Sequence, residues 1–255
     1  MPMRVVVDAG HGGFDNGAMY EGRREKDENL ELALLVGDLL RNKGVDVIFT
    51  RTDDIYQNPN LKASLGNEAG GDLFVSIHRN SSPTDNQYHG VETLVYNLGD
   101  AKETVANQIN QKLSEVGYQN LGVKARPDLA VLRRTNIPAV LVEAGFINSD
   151  IDNALFDEKF YQTAEAIAQG IFDGLNQIAQ PSVPVRYIVQ AGLFRQYNNA
   201  LELQNKLIEE GYPAQIQYKS GLYAVEAGVF SDYAEAQRVA NAIRSSGGEA
   251  IILRE

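Results

Sequence analysis

The stretch Val5-Val-Val-Asp-Ala-Gly-His-Gly-Gly13 decides how the rest of this sequence is read. A β-branched run ends in Asp8, and a histidine, His11, stands among glycines where the strand must stop. Glycine opens backbone conformations closed to other residues, so the chain can turn sharply here. A histidine on such a turn, at the C-terminal end of a strand, lies where open α/β sheets place ligands and metals. The segment gains meaning from three residues elsewhere: Glu25, His78 and Glu143.

Outward from this strand the first 178 residues alternate strand and helix. Leu32, Leu35, Val36, Leu39 and Leu40 recur at helical spacing, which predicts a helix over Glu28–Lys43 stopped by Gly44. Strands are expected at Val45–Thr50, Leu73–His78, Val91–Tyr96 and Ala139–Glu143, with helices at Leu61–Ala69, Ala101–Val116 and Asp157–Ile178. Repeated βα units imply an α/β domain, a mostly parallel sheet flanked by helices on both faces.

Gln180-Pro-Ser-Val-Pro184 breaks the pattern, and residues 179–185 read as a linker. Beyond it the sequence repeats. Tyr187-Ile-Val-Gln-Ala-Gly-Leu-Phe194 returns as Tyr223-Ala-Val-Glu-Ala-Gly-Val-Phe230, each copy followed by a helical pattern and a strand, at Ala214–Tyr218 and Ala250–Arg254. Residues 186–255 therefore read as a small α+β module, βαββαβ, of the ferredoxin-like or ribonucleoprotein-like kind. Strand alternation puts Gln190 and Glu226 on the face away from Val189 and Val225, a candidate exposed surface.

Composition narrows the function classes. The formal charge is -11, and residues 1–180 hold 16 of the 23 basic and 26 of the 34 acidic residues. No basic patch is present, which argues against a nucleic-acid partner. There is no cysteine, so metal ligands must be His, Asp or Glu. No apolar run approaches the ~20 residues of a membrane span. Met-Pro-Met-Arg leads straight into the first strand without a signal segment. The expectation is a monomer made in the cytoplasm.

His11 and His78 each follow a buried run, and parallel strands deliver both to one edge of the sheet. With Glu25, in the polar segment before the first helix, they make a His-Glu-His set of the kind that holds catalytic zinc. The alternative is that both histidines merely satisfy loop hydrogen bonds. Glu143 follows five apolar residues, costly for a carboxylate unless it is paired. It is either a structural glutamate bonded to loop amides or a general base acting on water. His89 reads as a solvated loop residue, and Glu92 as a possible neighbour of the site.

These residues carry a resemblance. Residues 1–178 resemble the zinc-dependent N-acetylmuramoyl-L-alanine amidases that cut bacterial peptidoglycan. The match runs through Asp8-Ala-Gly-His-Gly-Gly13, the Glu25 segment, Thr50-Arg-Thr-Asp53, Asp72-Leu-Phe-Val-Ser-Ile-His-Arg-Asn80 and Pro138-Ala-Val-Leu-Val-Glu-Ala-Gly-Phe146. It implies Zn2+ on His11, Glu25 and His78, Glu143 as catalytic carboxylate, and Asn80 near the substrate. Ala9, Lys62, Ser64 and Ala144 depart from the family's usual residues and bear on substrate preference rather than chemistry. Residues 186–255 resemble the SPOR domain, whose sheet face binds peptidoglycan glycan strands stripped of peptides. That likeness implies binding through Gln190 and Glu226, with rings such as Tyr187 and Tyr223 stacking on sugars. Family members without a signal peptide include enzymes of sporulation mother-cell lysis and phage endolysins, which reach the wall by release or lysis. The rival readings are another zinc amidohydrolase or carboxypeptidase of the wall, and a non-catalytic wall-binding protein.

Overall fold

The computed structural model describes residues 3–179 and 186–254, and the chain divides into two compact units, Met1–Gln180 and Pro181–Glu255. The linker expected at 179–185 lies, from residue 180 on, outside the described residues; Ala179 is still helical.

In the first unit the chain runs β1 (Arg4–Ala9), β2 (Met19–Tyr20), β3 (Arg23–Arg24), α1 (Glu25–Asn42), β4 (Asp46–Phe49), α2 (Pro59–Ala69) and β5 (Leu73–Asn80). It continues through β6 (Val91–Val95), α3 (Ala101–Val116), β7 (Asn120–Ala125), α4 (Ala130–Arg133), β8 (Ala139–Phe146), α5 (Asp150–Glu158) and α6 (Phe160–Ala179). Six strands form one sheet in the order β4-β1-β5-β8-β6-β7. The first four are parallel, as expected, whereas β6 runs antiparallel to β8 and carries β7 parallel to itself. The reversal follows from the connection: residues 81–90 join β5 to β6 without the crossover helix that a parallel return requires.

Alternation along the strands divides the core. Val5, Val7, Val75, Ile77, Val140 and Val142 face α1, α3 and α6. Val6, Phe74, Leu94 and Leu141 face the other way, with Val131 and Leu132 of α4. Asp8 also points to this second side, where α2 supplies Lys62. The Lys62 ammonium lies 2.7 Å from Asp8 Oδ1, and Thr50 and Ser76 hydroxyls donate to the same carboxylate at 2.6 Å. Burial works against charge on Asp8, yet the Lys62 cation and these hydrogen bonds hold its pKa below the usual range. The helices α2 and α3 are capped by Asn58 and Asp100, whose side chains accept from Leu61 N and Lys102 N.

Several elements escaped the sequence pattern, the one-turn helix α4 among them. The helix expected at Asp157–Ile178 is two, because Ser149 caps α5 early and Lys159 leaves helical geometry before α6 begins. The edge strand β7 carries Gly122 at φ +86° and an irregular register, so its period-2 signal is broken. The β2–β3 hairpin is two residues a side.

The second unit contains β9 (Tyr187–Phe194), α7 (Tyr197–Glu209), β10 (Gln215–Lys219), β11 (Leu222–Phe230), α8 (Tyr233–Ser245) and β12 (Ile251–Arg254). Its antiparallel sheet has the order β10-β11-β9-β12, so the two repeated strands are the central pair. Val189, Ala191, Val225 and Ala227 pack under α7 and α8 in a core of their own.

Helices α3 and α6 cross at glycines. A Cβ on Gly170 would stand 2.5 Å from Ile109 Cα, and one on Gly174 2.7 Å from Val105 Cα. An exposed helical glycine changed to alanine gains about 1 kcal/mol. Here Gly170→Ala instead forces two backbones apart, and overpacking costs about 1–3 kcal/mol. Thermal or denaturant unfolding of this variant is expected to show a net loss of stability; a gain would contradict the close crossing.

Candidate metal centre and active site

Three elements meet at one edge of the first sheet. The turn after β1 carries His11, Glu25 is the first residue of α1, and His78 stands in β5 two residues before its end. Glu25 was expected ahead of a helix starting at Glu28. The helix begins earlier because Ala18 O accepts from Glu25 N and Asn16 O from Lys26 N, tying its first turn to the preceding loop.

The three side chains converge. One ligand atom from each lies within 4.8 Å of the others. His11 Nε2 is 3.1 Å from Glu25 Oε2, and His78 Nδ1 is 2.9 Å from Glu25 Oε1. His11 holds φ +59°, a left-handed conformation uncommon for a side-chain-bearing residue and frequent at functional turns. Gly10 is required by close approach: a Cβ there would lie 2.3 Å from the His78 ring. His11 Nδ1 is 2.9 Å from Asp15 Oδ2, a carboxylate–histidine pairing that turns Nε2 toward the centre.

Glu25 is nearly out of water, and its oxygens are heavily served. Ala18 N donates to Oε2 at 2.9 Å, and Asn29 Nδ2 and Arg79 N donate to Oε1 at 3.2 and 3.3 Å. Burial pushes this carboxyl up, but its bonds to His11 and His78 outweigh burial and hold it far below the carboxylate range. Burial likewise disfavours charge on His11, and Glu25 and then Asp15 overcome it, lifting the pKa to about 9.

Glu143 stands next to His78 in the β5–β8 register and opposite Glu92 in the β8–β6 register. Its Oε2 is buried without a hydrogen-bond partner among the described residues. The loop amides imagined for a structural glutamate are therefore not bonded to that oxygen. Burial, opposed by His78 and reinforced by Glu25 and Glu92, pushes its pKa up to about 7. That is a value suited to proton exchange near neutral pH. Glu92 accepts from Asn80 Nδ2 at 3.0 Å and pairs with Lys124. A cavity of about 140 Å³ is lined by His11, His78, Asp15 and Gln57. Asn80, Tyr88, His89, Glu92 and Lys124 line a second, of about 430 Å³.

Sequence reasoning missed the residues that hold the turn. Arg51 donates to Ala9 O, Gly10 O and Lys26 O, and Lys62 donates to Ala9 O. Asp15 could have been noticed four residues after His11. Arg51 stands in the matched stretch Thr50–Asp53 and Lys62 among the departures, but a contact to a backbone carbonyl cannot be read from either residue.

In the second unit two expectations need correction. Glu226 lies on the helix-free face but is only 7% exposed, with Lys219 Nζ 3.4 Å away; register shifts flank it. Tyr187 and Tyr223 pack against the helix-side core, beside Tyr233 and Tyr197 respectively, rather than on the open face. Gln190 is half-buried and pairs across the sheet with Glu226 and Ile251.

Comparison with known proteins places this geometry. Residues 5–173 match the family model described as N-acetylmuramoyl-L-alanine amidase, and residues 184–254 match the SPOR domain. The chain is 33% identical over 225 residues to the sporulation-specific N-acetylmuramoyl-L-alanine amidase of Bacillus subtilis (strain 168), covering 85% of each. It is 36% identical over 186 residues to the endolysin of Bacillus phage SPP1, covering 69% of this chain and 67% of that one. The solved N-acetylmuramoyl-L-alanine amidase from Clostridium difficile 630 aligns with a TM-score of 0.66 at 33% identity, covering 71% of this chain and 99% of the other. The chain belongs to the N-acetylmuramoyl-L-alanine amidase family, and its second unit is a SPOR domain.

Proposed function

We propose that this amidase works with zinc held by His11, Glu25 and His78, and with Glu143 as its proton carrier. The observation that carries the reading is the convergence of two imidazoles and a carboxylate beside Glu143, whose Oε2 is buried without a hydrogen-bond partner among the described residues. The donor set fits the metal: two nitrogens and one oxygen donor, with one ring fixed by Asp15, make a three-ligand site that leaves room for substrate. Bound there, zinc supplies a Lewis acid that polarises the scissile carbonyl and eases deprotonation of water.

The chain's own residues do the rest. Glu143 takes a proton from the attacking water, whose oxygen bonds to the carbonyl carbon between the muramic acid lactyl group and L-alanine. The carbon–nitrogen bond breaks, and Glu143 returns the proton to the leaving amine. Asn80 and Lys124 hold Glu92 across from Glu143. The products are a free stem peptide and a glycan strand without it, the polymer the SPOR domain is suited to bind. The setting is mother-cell lysis in sporulation or phage lysis, supported by one relative named as sporulation-specific and another named an endolysin. Among the described residues no helix is long and apolar enough to cross a membrane.

Chelation is expected to abolish wall lysis and zinc to restore it; full activity in metal-free protein would sink the mechanism. Glu143→Ala should keep its zinc and lose about 10²–10⁴-fold in turnover, whereas His11→Ala or His78→Ala should lose the metal, as elemental analysis would show.

The raised Glu143 pKa also sets a stability test in metal-free protein. A carboxyl lifted from 4.5 to about 7 contributes its full stability below 4.5 and loses it as pH rises through about 7. Glu143→Gln should therefore match the parent at pH 4 and exceed it by on the order of 3 kcal/mol at pH 8.5. Equal stability at both pH values would show that the carboxylate is not desolvated.

Each unit has its own core, so a chain ending at Ile178 should still cleave soluble muramyl peptides but lyse whole sacculi less well, having lost one of two joined wall contacts. Equal lysis by both lengths would remove the targeting role.

A further inference from the structure

The turn that carries His11 ends in a residue the mechanism does not use. Phe14 is 79% exposed at the tip of a turn closed by Gly12 N to Asp15 O at 3.0 Å and Asp15 N to Gly12 O at 3.2 Å. Such tips are ordinarily Gly, Asn, Asp or Ser. The Phe14 ring lies 4.1 Å from that of Tyr56, tilted 32°, and Tyr56 is itself 42% exposed. At that separation the two rings stack on one another, so each covers one face of its partner and their exposure leaves the outer faces to water.

The pair is fixed in place. Asp54 Oδ1 accepts from Gly13 N at 2.7 Å, and Lys26 Nζ donates to both Gly13 O and Asp54 Oδ2. Gly13 holds φ +61°, and a Cβ there would meet Tyr56 N at 2.7 Å, so the two loops lie against each other. The pair also borders the reaction site: Asp15 bonds His11, and Gln57 shares the cavity of His11 and His78. A rigid surface binds with little loss of conformational entropy.

The substrate has two unlike ends. On one side of the scissile amide stand sugar rings, uncharged and with apolar C–H faces; on the other is a peptide with amides and carboxylates. The site has two unlike flanks as well. Beyond Glu143 the larger cavity offers Asn80, Gln87, His89, Gln119 and Lys124, and Tyr88 stands there among these polar groups. Beyond His11 stand the two aromatic rings. We propose that Phe14 and Tyr56 are a stacking platform for the glycan strand, so that the substrate crosses the site with its sugars on the His11 side and its peptide on the Asn80 side.

The proposal rests on the amidase reading, and the test separates the two. The zinc-loaded full chain, its Phe14→Ala and Tyr56→Ala variants and a Phe14→Tyr variant are assayed on two soluble substrates. One bears the stem peptide on a tetrasaccharide; the other bears the same peptide on a single N-acetylmuramic acid. The SPOR domain is common to all four proteins, so its contribution cancels. Each alanine variant should lower the ratio of kcat/KM for the long substrate over the short one about tenfold, chiefly through KM, and Phe14→Tyr should restore it. An unchanged ratio overturns the platform, whether both rates fall or neither does. Failure of the amidase reading would look different: no peptide released from either substrate by the unmodified protein, which would remove the platform with it.

Discussion

A carboxylate withdrawn from water and held between two imidazoles is the constraint on which the first unit depends. Leaving Glu25 buried without partners would cost several kcal/mol. Its two oxygens instead receive backbone amides from Ala18 and Arg79 and the Asn29 amide, besides His11 and His78. Meeting those requirements brings together the turn after β1, the start of α1 and the end of β5. Its position as the first residue of α1 adds the positive end of the helix dipole. Arg51 and Lys62 then hold the carbonyls of residues 9 and 10, so the His11 turn is anchored from below by two cations. Much of the buried polar structure on this side exists to keep one short turn in place.

The sheet contributes a second ordering. Because β8 lies between β5 and β6, Glu143 has His78 on one side and Glu92 on the other. Three carboxylates gather at one sheet edge in three environments. Glu25 is bonded to imidazoles and held charged; Glu92 is paired with Lys124; Glu143 is desolvated and pushed up to about 7. Separating the proton affinities of neighbouring carboxylates by environment lets one site hold both a permanent anion and a carboxyl that titrates near neutral pH.

Much of this was legible in the residues. Val5–Asp8 and Leu73–Ile77 are apolar runs followed by histidines, and parallel strands must bring such ends together. Glu143 stood out because it follows a run too apolar to tolerate an idle charge. The start of α1 was misread because Arg24 precedes it with no capping side chain, so the polar segment concealed the first helical turn. Alternation put Glu226 on the correct face but said nothing of Lys219, which lies against it. Tyr187 and Tyr223 have the spacing of core residues, and they pack as core. Phe14 and Tyr56 lie 42 residues apart, and only the fold stacks their rings.

The central claim concerns what His11, Glu25 and His78 hold. X-ray absorption at the zinc edge, on the zinc-loaded full chain, measures it most directly. The account predicts an inner shell of nitrogen and oxygen with the outer-shell scattering of two imidazoles, a signal that His78→Ala loses together with its zinc. A spectrum with no imidazole scattering, or one unchanged by His78→Ala, would contradict it.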